Sequence, residues 1–161
     1  MTDVTSLDYK KLLMNTTSTI FKTMLSLSVE VKGERPDTIK DGNLIVGSVG
    51  FAGNVSGCMN IHVGEVFARL IAGAMLGENP ESLEIEDVLD VVGELSNMIG
   101  GDIKSRLCDS GMACNLSIPT TMRGSDFTID SHGWTIHESI TFQNSGHLAC
   151  VEVYVKSNNS N

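Results

Sequence analysis

The spacing of apolar positions changes along the chain, and each spacing predicts one kind of element. Apolar residues recur at helical intervals over 9–25 and over 65–76. Elsewhere apolar and polar residues alternate, which is typical of strands, and Gly53-Asn54 is predicted to supply the positive φ angles of a tight hairpin. The pattern predicts helices over 9–25, 65–76 and 83–107, and strands over 27–31, 44–52, 55–63, 112–118, 126–130, 134–143 and 147–156.

The residues between these segments mark where elements end. Ser82 is the predicted cap of the third helix, and Gly77 is the predicted stop of the second. Residues 33–42 are predicted to form a loop, and the polar residues 157–161 a frayed tail. No repeat or linker divides the chain, so we expect one α+β domain over 1–161, in which long helices cover an antiparallel sheet.

Composition excludes several classes of protein. Hydrophobic residues make up 41% of the chain, too many for disorder, and the formal net charge of −9 repels nucleic acid. The longest stretch without charged side chains, 42–64, contains six glycines and does not indicate a membrane span. The N-terminus lacks a basic segment followed by an apolar run. We therefore expect a cytoplasmic protein whose four scattered cysteines are reduced.

The third predicted helix carries a narrow polar stripe. At about 100° per residue, positions i, i+4, i+7, i+11 and i+14 of a helix lie on one side. In the segment 90–104 these positions are occupied by Asp90, Glu94, Asn97, Gly101 and Lys104. Most polar helix faces are simply solvated, so the stripe is either a solvent-facing surface or a surface that binds a partner.

Three glycines stand in the same helix, although each costs roughly 1 kcal/mol relative to alanine in a helix interior. Gly93 and Gly100, with Ser96 between them, form a strip of small residues that would let another backbone approach closely. Gly101 lies on the polar stripe, where a missing side chain leaves room for a partner. Alternatively, Gly100-Gly101 breaks or kinks the helix. The remaining side is apolar and is expected to be buried, with Val88, Val92, Leu95, Ile99 and Ile103.

The polar stripe resembles the signature of the CheC/CheX family of bacterial chemotaxis phosphatases. That signature is Asp or Ser, three residues, Glu, two residues, Asn, and a proline further along the chain. It is matched here by Asp90, Glu94, Asn97 and Pro119. Length and element order also match, from about residue 8 to residue 156. Only one copy of the signature is present, since the first helix lacks a paired Glu near Asn15, and this favours the CheX branch.

This resemblance implies a substrate and a site. The substrate would be the phospho-aspartate of a CheY-type response regulator, and the chain would be a phosphatase without a cofactor of its own, because the receiver domain binds the Mg²⁺. Asn97 would orient the attacking water, and Glu94 would pair with a lysine of the receiver. Further contacts with the partner would come from Asp90, Gly101, Lys104 and Pro119.

The resemblance also implies a homodimer joined through sheet edges, and the Val-rich strand 147–156 is the candidate edge. One alternative function stays open. Relatives of this fold are non-catalytic binding modules of the flagellar switch, so the chain could dock on a response regulator or switch component without hydrolysing anything. The pairing of Glu94 with Asn97 favours catalysis, because a pure adaptor has no need of a water-positioning amide.

Other kinds of site find little support in the sequence. His132, His137 and His147 lack the HxH or HxxH spacing of metal ligands, so they are expected to lie on the surface or on strand faces. Cys108 and Cys114 flank a predicted loop, but no CxxC motif indicates a redox pair. The chain has no nucleophile elbow, Walker A loop or dinucleotide fingerprint. We therefore expect neither a metal site nor a serine hydrolase.

Overall fold

The computed structural model describes residues 3–33, 39 and 42–158. Within these ranges the chain forms three α-helices, seven strands, and 3-10 turns at Val4–Ser6 and Pro80–Ser82. The helices are α1 (Tyr9–Leu25), α2 (Glu65–Leu76) and α3 (Ile85–Asp109). The strands are β1 (Glu30–Gly33), β2 (Leu44–Gly53), β3 (Val55–Gly64), β4 (Cys114–Leu116), β5 (Thr120–Gly124), β6 (Ile136–Asn144) and β7 (His147–Ser157).

The seven strands form one sheet in the order β1-β6-β7-β3-β2-β4, and β5 also pairs with β2. Every pair is antiparallel. The prediction that 147–156 is a free edge is wrong, because β7 lies in the centre between β6 and β3. Its many valines reflect burial, since Ala149–Val155 is buried without interruption. The edges are β1 on one side and β4 with β5 on the other.

The three helices cover one face of this sheet. Alternate strand residues such as Ile45, Met59 and Val151 join the helices in a single apolar cluster. The largest fully buried side chains of that cluster are Phe21, Phe67, Phe142, Leu13, Ile45, Met59, Ile61, Ile71, Leu95, Ile99, Ile103 and Leu107. The predicted α+β architecture, an antiparallel sheet covered by helices, is therefore confirmed.

The helix ends follow local sequence signals in two cases and depart from them in one. Asp8 caps α1 by accepting a hydrogen bond from the Lys11 backbone N–H, and Gly77 ends α2 with a φ of 67°. The prediction that Ser82 caps α3 is wrong. Its hydroxyl donates to the Asn79 carbonyl inside a 3-10 turn, and α3 begins only at Ile85.

The strand boundaries differ from the sequence pattern where pairing partners decide them. Both predicted hairpins are present, β2–β3 and β6–β7, and Gly146 turns the second with a φ of 84°. The positive φ angles predicted at Gly53-Asn54 are wrong, since neither residue has a positive φ. Residues 126–130 are not a strand; the edge strand is β5, and Asp126, with a φ of 54°, ends the extended backbone. β1 begins at Glu30, since pairing with β6 starts there. Most of the predicted 33–42 loop and residues 159–161 lie outside the described residues.

Candidate functional site

The polar stripe lies on α3 and faces solvent. It consists of Asp90, Glu94, Asn97, Gly101 and Lys104, which we call the α3 ridge. Asp90 and Glu94 are exposed, and the other three are partly exposed. Glu94 and Asn97 stand three positions apart, so their side chains leave the helix on the same side. Among the described residues neither has a hydrogen-bond or ion-pair partner, which leaves both free to meet another molecule.

The helix beneath the ridge is held firmly. α3 runs unbroken from Ile85 to Asp109, so the alternative that Gly100-Gly101 breaks it is wrong. The predicted apolar side is confirmed, because each of its five residues is 0% exposed: Val88, Val92, Leu95, Ile99 and Ile103. Burial of one whole side fixes the rotation of the helix about its axis, and this fixes the direction of the ridge.

The two adjacent glycines of α3 have different surroundings. A Cβ on Gly100 would collide with the side chain of Val49 on β2, so this glycine allows the close approach of helix and sheet that the small-residue strip predicted. Gly47 of β2 makes the same kind of contact with Ser96. A Cβ on Gly101 would have no atom within 4 Å. Gly101 therefore leaves open space on the ridge beside Asn97.

A pocket of about 320 Å³ lies next to Glu94, between α2 and the first half of α3. Its lining combines apolar side chains with carboxylates. The lining residues are Met75, Leu76, Asp87, Asp90, Val91 and Glu94. Nothing in the sequence analysis singled out Met75 or Leu76, because only the packing of α2 beside α3 brings them to the ridge. This flank of the ridge offers an acidic rim over an apolar floor.

The sheet edge forms the other flank of the ridge. Leu116 at the end of β4 lies against Gly100, and Thr121 of β5 lies against Gly93. Pro119 is half-buried and falls between these two contacts. The signature proline thus stands beside the middle of α3 although 21 residues separate it from Asn97 along the chain.

A groove of about 690 Å³ separates α1 from the second half of α3. The Thr16 hydroxyl donates to the Asp102 carboxylate and ties the two helices together beneath it. Asn15 lines the groove and is exposed, but Leu12 occupies the position three residues before it. α1 therefore presents no counterpart to the Glu94–Asn97 pair.

The face of the sheet away from the helices carries a second polar cluster, centred on Glu152. The Glu152 side chain is fully buried, and its Oε1 lies 2.7 Å from His62 Nε2 and 3.2 Å from Asn60 Nδ2. Its Oε2 lies 3.1 Å from His137 Nε2 and accepts from the Tyr154 hydroxyl at 3.2 Å. Sequence reasoning missed this cluster, because only the register of β3, β6 and β7 brings its members together.

The cluster keeps Glu152 ionised. Burial by itself raises the pKa of Glu152, but the hydrogen bond and charge of His62, with hydrogen bonds from His137 and Asn60, outweigh burial and lower the pKa from 4.5 to about 2. The carboxylate lies on the opposite side of the sheet from α3, so this shift belongs to a structural ion cluster and not to the ridge.

The histidines and cysteines singled out in the sequence lie in several parts of the fold, and Cys108 stands one turn beyond Lys104 on α3. His147 stacks on Phe67, with 5.5 Å between ring centroids, and His132 is exposed. In the described part of the chain no three His, Cys, Asp or Glu side chains are placed to hold a metal ion. Burial raises the pKa of Cys58 and Cys114 to about 11, so both are protonated thiols at neutral pH.

Comparison with known proteins connects this geometry to a family. The model of the family described as chemotaxis phosphatase CheX matches residues 45–143, which include α3 and Pro119. The chain belongs to the CheX family. This confirms the resemblance carried by the signature residues, and it applies to more than half of the chain.

Two of the solved structures share this fold over more than 90% of the chain, and a further relative is similar in sequence. A CheX from Vibrio vulnificus is 28% identical, covers 93% of this chain and 97% of its own, and has a TM-score of 0.79. The CheY-P phosphatase CheX of Thermotoga maritima is 27% identical over 110 residues, 66% of this chain and 71% of that protein. A CheX-CheY-BeF3-Mg complex from Borrelia burgdorferi matches with a TM-score of 0.77 at 21% identity, covering 93% of this chain and 99% of that one. At 21% identity, the likeness to the Borrelia burgdorferi complex is evidence for the shared fold alone.

No helix in the described ranges combines the length and the apolar character that crossing a bilayer requires.

Proposed function

We propose that this chain dephosphorylates a CheY-type response regulator by inserting Glu94 and Asn97 into the active site of its receiver domain. The observation that carries the proposal is the α3 ridge: an unpaired carboxylate and an amide on one side of a firmly packed helix, facing solvent, in a chain of the CheX family. The reaction is hydrolysis of an acyl phosphate on an aspartate. Protein and partner would meet in the cytoplasm.

Asn97 is assigned the role of holding the attacking water. Phosphoryl transfer passes through a loose transition state, so catalysis consists chiefly of positioning and charge neutralisation. A carboxamide offers two N–H donors and a carbonyl acceptor and stays neutral at any physiological pH, so it can orient a water without repelling the phosphoryl group. The open space at Gly101 lets the receiver approach Asn97 closely.

Glu94 is assigned the role of fixing how the receiver docks. Its exposed carboxylate has no partner within the described residues, and we expect it to pair with the active-site lysine of the receiver. A charge-assisted hydrogen bond contributes roughly 1.5–3 kcal/mol once an interface removes water, against about 0–1 kcal/mol on an open surface. Glu94 therefore contributes most of its binding free energy only once the receiver has docked.

The remaining signature and ridge residues are assigned to partner binding. Asp90 lines the pocket beside Glu94, and Lys104 continues the ridge beyond Gly101. Pro119 shapes the sheet edge beside α3 and takes no part in the chemistry. The Mg²⁺ that phosphoryl chemistry requires would be bound by the receiver.

The proposed oligomer is a homodimer formed through sheet edges. β7 cannot supply the edge, so the candidates are β1 and the β4–β5 side. The β4–β5 side borders the α3 ridge, where the receiver would dock, so β1 is the edge proposed for the dimer. Light scattering of the purified protein measures the mass directly, and a monomer at micromolar concentration would contradict the dimer.

The deciding experiment is the lifetime of a phosphorylated regulator. CheY-type regulators from the same organism are phosphorylated with acetyl phosphate and Mg²⁺, and phosphate release is followed with and without this protein. A phosphatase at catalytic concentration shortens the lifetime of the acyl phosphate with multiple turnovers. A lengthened lifetime at stoichiometric concentration would instead identify a non-catalytic CheC/FliM-like binding module.

A further inference from the structure

We propose that Ile118 determines partner specificity, by inserting into an apolar depression beside the phosphorylation site of the receiver domain. The inference rests on the proposed function and deepens it. Glu94 and Asn97 act on features common to receiver domains, whereas Ile118 would read the surface around the phosphate, which differs from one receiver to another.

Ile118 is unusually exposed for an apolar residue. Its side chain is 85% exposed, whereas the other exposed large apolar side chains in the described residues lie between 37% and 52%. Single exposed apolar residues are common on protein surfaces, so exposure alone assigns no role. The backbone that presents Ile118, and its place beside the ridge, carry the argument.

A β-bulge presents Ile118. Leu116 of β4 pairs with Phe51, and Thr120 of β5 pairs with Ser48. The three residues 117–119 therefore stand opposite only two residues of β2. One extra residue at a sheet edge is the defining feature of a bulge, a device that redirects side chains and is frequent beside active sites.

The bulge is held in place and is not a loose loop. The Ser117 backbone N–H donates to the Gly50 carbonyl at 2.9 Å, and the Ser117 hydroxyl accepts from the Gly50 N–H at 2.7 Å. Pro119 has no N–H to donate, so regular pairing cannot resume until the next residue. Farther along the edge, Arg123 forms an ion pair of 2.9 Å with Glu65. Ile118 is thus an exposed side chain on a fixed backbone.

The bulge lies beside the catalytic part of the ridge. The edge segment contacts α3 at Gly93 and Gly100, on either side of Asn97, and Ile118 stands in the middle of that segment. We therefore expect a receiver that brings its phosphorylated aspartate to Asn97 to cover Ile118 as well. The proposed contact is continuous with the docking surface and needs no separate approach by the partner.

The side chains on the two flanks of the α3 ridge indicate what kind of surface the receiver presents to each. Beyond Glu94 the ridge borders a pocket with Asp87 and Asp90 on its rim, which favours a basic receiver surface on that side. On the Asn97 side Ile118 is the protruding apolar group and favours a concave apolar surface. An apolar contact there would also exclude bulk water from the neighbourhood of the attacking water.

The test separates binding from chemistry. Ile118→Ser is compared with wild type in steady-state dephosphorylation of a CheY-type regulator from the same organism, and in binding to that regulator activated with beryllofluoride and Mg²⁺. We expect KM and Kd to rise about tenfold, as for the loss of a buried aliphatic contact, with kcat within about twofold. Ile118→Leu should restore both values. Met122→Ser is the control, since Met122 is 47% exposed on the same edge but faces away from α3.

Specificity gives a second readout. The ratio of kcat/KM for two CheY-type regulators should shrink in Ile118→Ser, an effect that a purely structural role would not produce. If Ile118→Ser leaves both KM and this ratio unchanged while Asn97→Ala abolishes turnover, the role of Ile118 is overturned and the proposed function stands. Full turnover by Asn97→Ala would overturn the proposed function itself. Conversion of a dimer to a monomer by Ile118→Ser would show that Ile118 contacts a second copy, and would also overturn the inference.

Discussion

At the scale of single residues, Asn97 is an unfavourable choice for the helix that carries it. Asparagine is a poor helix former, since its side chain competes for backbone hydrogen bonds, yet Asn97 stands midway along a helix of 25 residues. Its side chain forms no hydrogen bond with the described part of the protein that would offset this cost. An amide held out toward solvent on a rigid helix is suited to a partner's reaction centre.

Asn97→Ala should abolish accelerated dephosphorylation while leaving the protein folded. Alanine removes the donors and the acceptor that orient water, and the buried side of α3 is untouched, so thermal stability should stay level or rise slightly. Phosphate release from the regulator and the thermal midpoint measure the two effects. Asn15→Ala is the matched control, because Asn15 is an exposed asparagine on α1 outside the ridge. Near-normal turnover in Asn97→Ala would refute the assignment.

Glu94→Gln should weaken docking as well as rate. The substitution keeps the shape of the side chain and removes its charge, so the loss measures the pairing with the receiver's lysine. We expect KM to rise about tenfold or more at low salt, and the difference from wild type to narrow as salt screens the approach. Glu78→Gln, an exposed change outside α3, should leave KM unaltered. A KM for Glu94→Gln that equals wild type at low salt would exclude the pairing.

At the scale of elements, the contact between α3 and β2 sets the position of the ridge. Gly47 and Gly100 remove side chains from the line where helix and strand meet, so the helix lies close on the sheet. Ser96 fills the remaining space, and its hydroxyl donates to the Val92 carbonyl at 2.8 Å. A wider spacing would move Asn97 relative to the bulge at the sheet edge.

Adjacent glycines should respond in opposite ways to one substitution. Gly100→Leu should reduce the free energy of unfolding by about 2 kcal/mol or more, because the new side chain collides with Val49. Gly101→Leu should be neutral or stabilising by up to about 1 kcal/mol, since it improves helix propensity in open space. Urea unfolding measures both. Gly101→Leu should nevertheless lose phosphatase activity by obstructing the receiver; equal destabilisation at both positions would contradict the described packing.

At the scale of the whole molecule, the sheet separates two polar centres with different functions. The helix-covered face supports the ridge, and the other face holds Glu152 with His62 and His137. Removing one member of a buried ion cluster is costly, because it leaves the partner without compensation. Disrupting this cluster should therefore destabilise the central strands, far from the proposed chemistry.

The Glu152 cluster predicts a pH dependence of stability. The folded pKa of about 2 lies below the ordinary 4.5, so the carboxylate contributes about 3 kcal/mol that is fully present above pH 4.5 and is lost as pH falls toward 2. Glu152→Gln should lower the free energy of unfolding at pH 7 by a similar amount, and the difference from wild type should shrink as the pH falls. Urea titrations at several pH values check this; a difference that stays constant from pH 7 to pH 3 would exclude it.

Local signals predicted the elements that depend on local contacts. The bounds of α1 and α2, both hairpins and the outward direction of the α3 ridge followed from periodicity, because each is decided by residues close together in the chain. The strand predictions were wrong where pairing with residues distant in the chain determines which segment forms a strand and where it lies in the sheet. The sequence pattern placed a strand at 126–130, but β5 forms where it can pair with β2, and the Val-rich β7 is central and not an edge.

The sequence by itself determined that Glu94 and Asn97 share one exposed side of a helix, since a period of 3.6 residues leaves no other arrangement once the apolar side is buried. Only the tertiary structure decided what surrounds them. The pocket beside Glu94, the bulge that presents Ile118 and the ion cluster at Glu152 all join residues far apart in the chain. Their positions depend on strand register and on helix packing, and neither is encoded in the spacing of neighbouring residues.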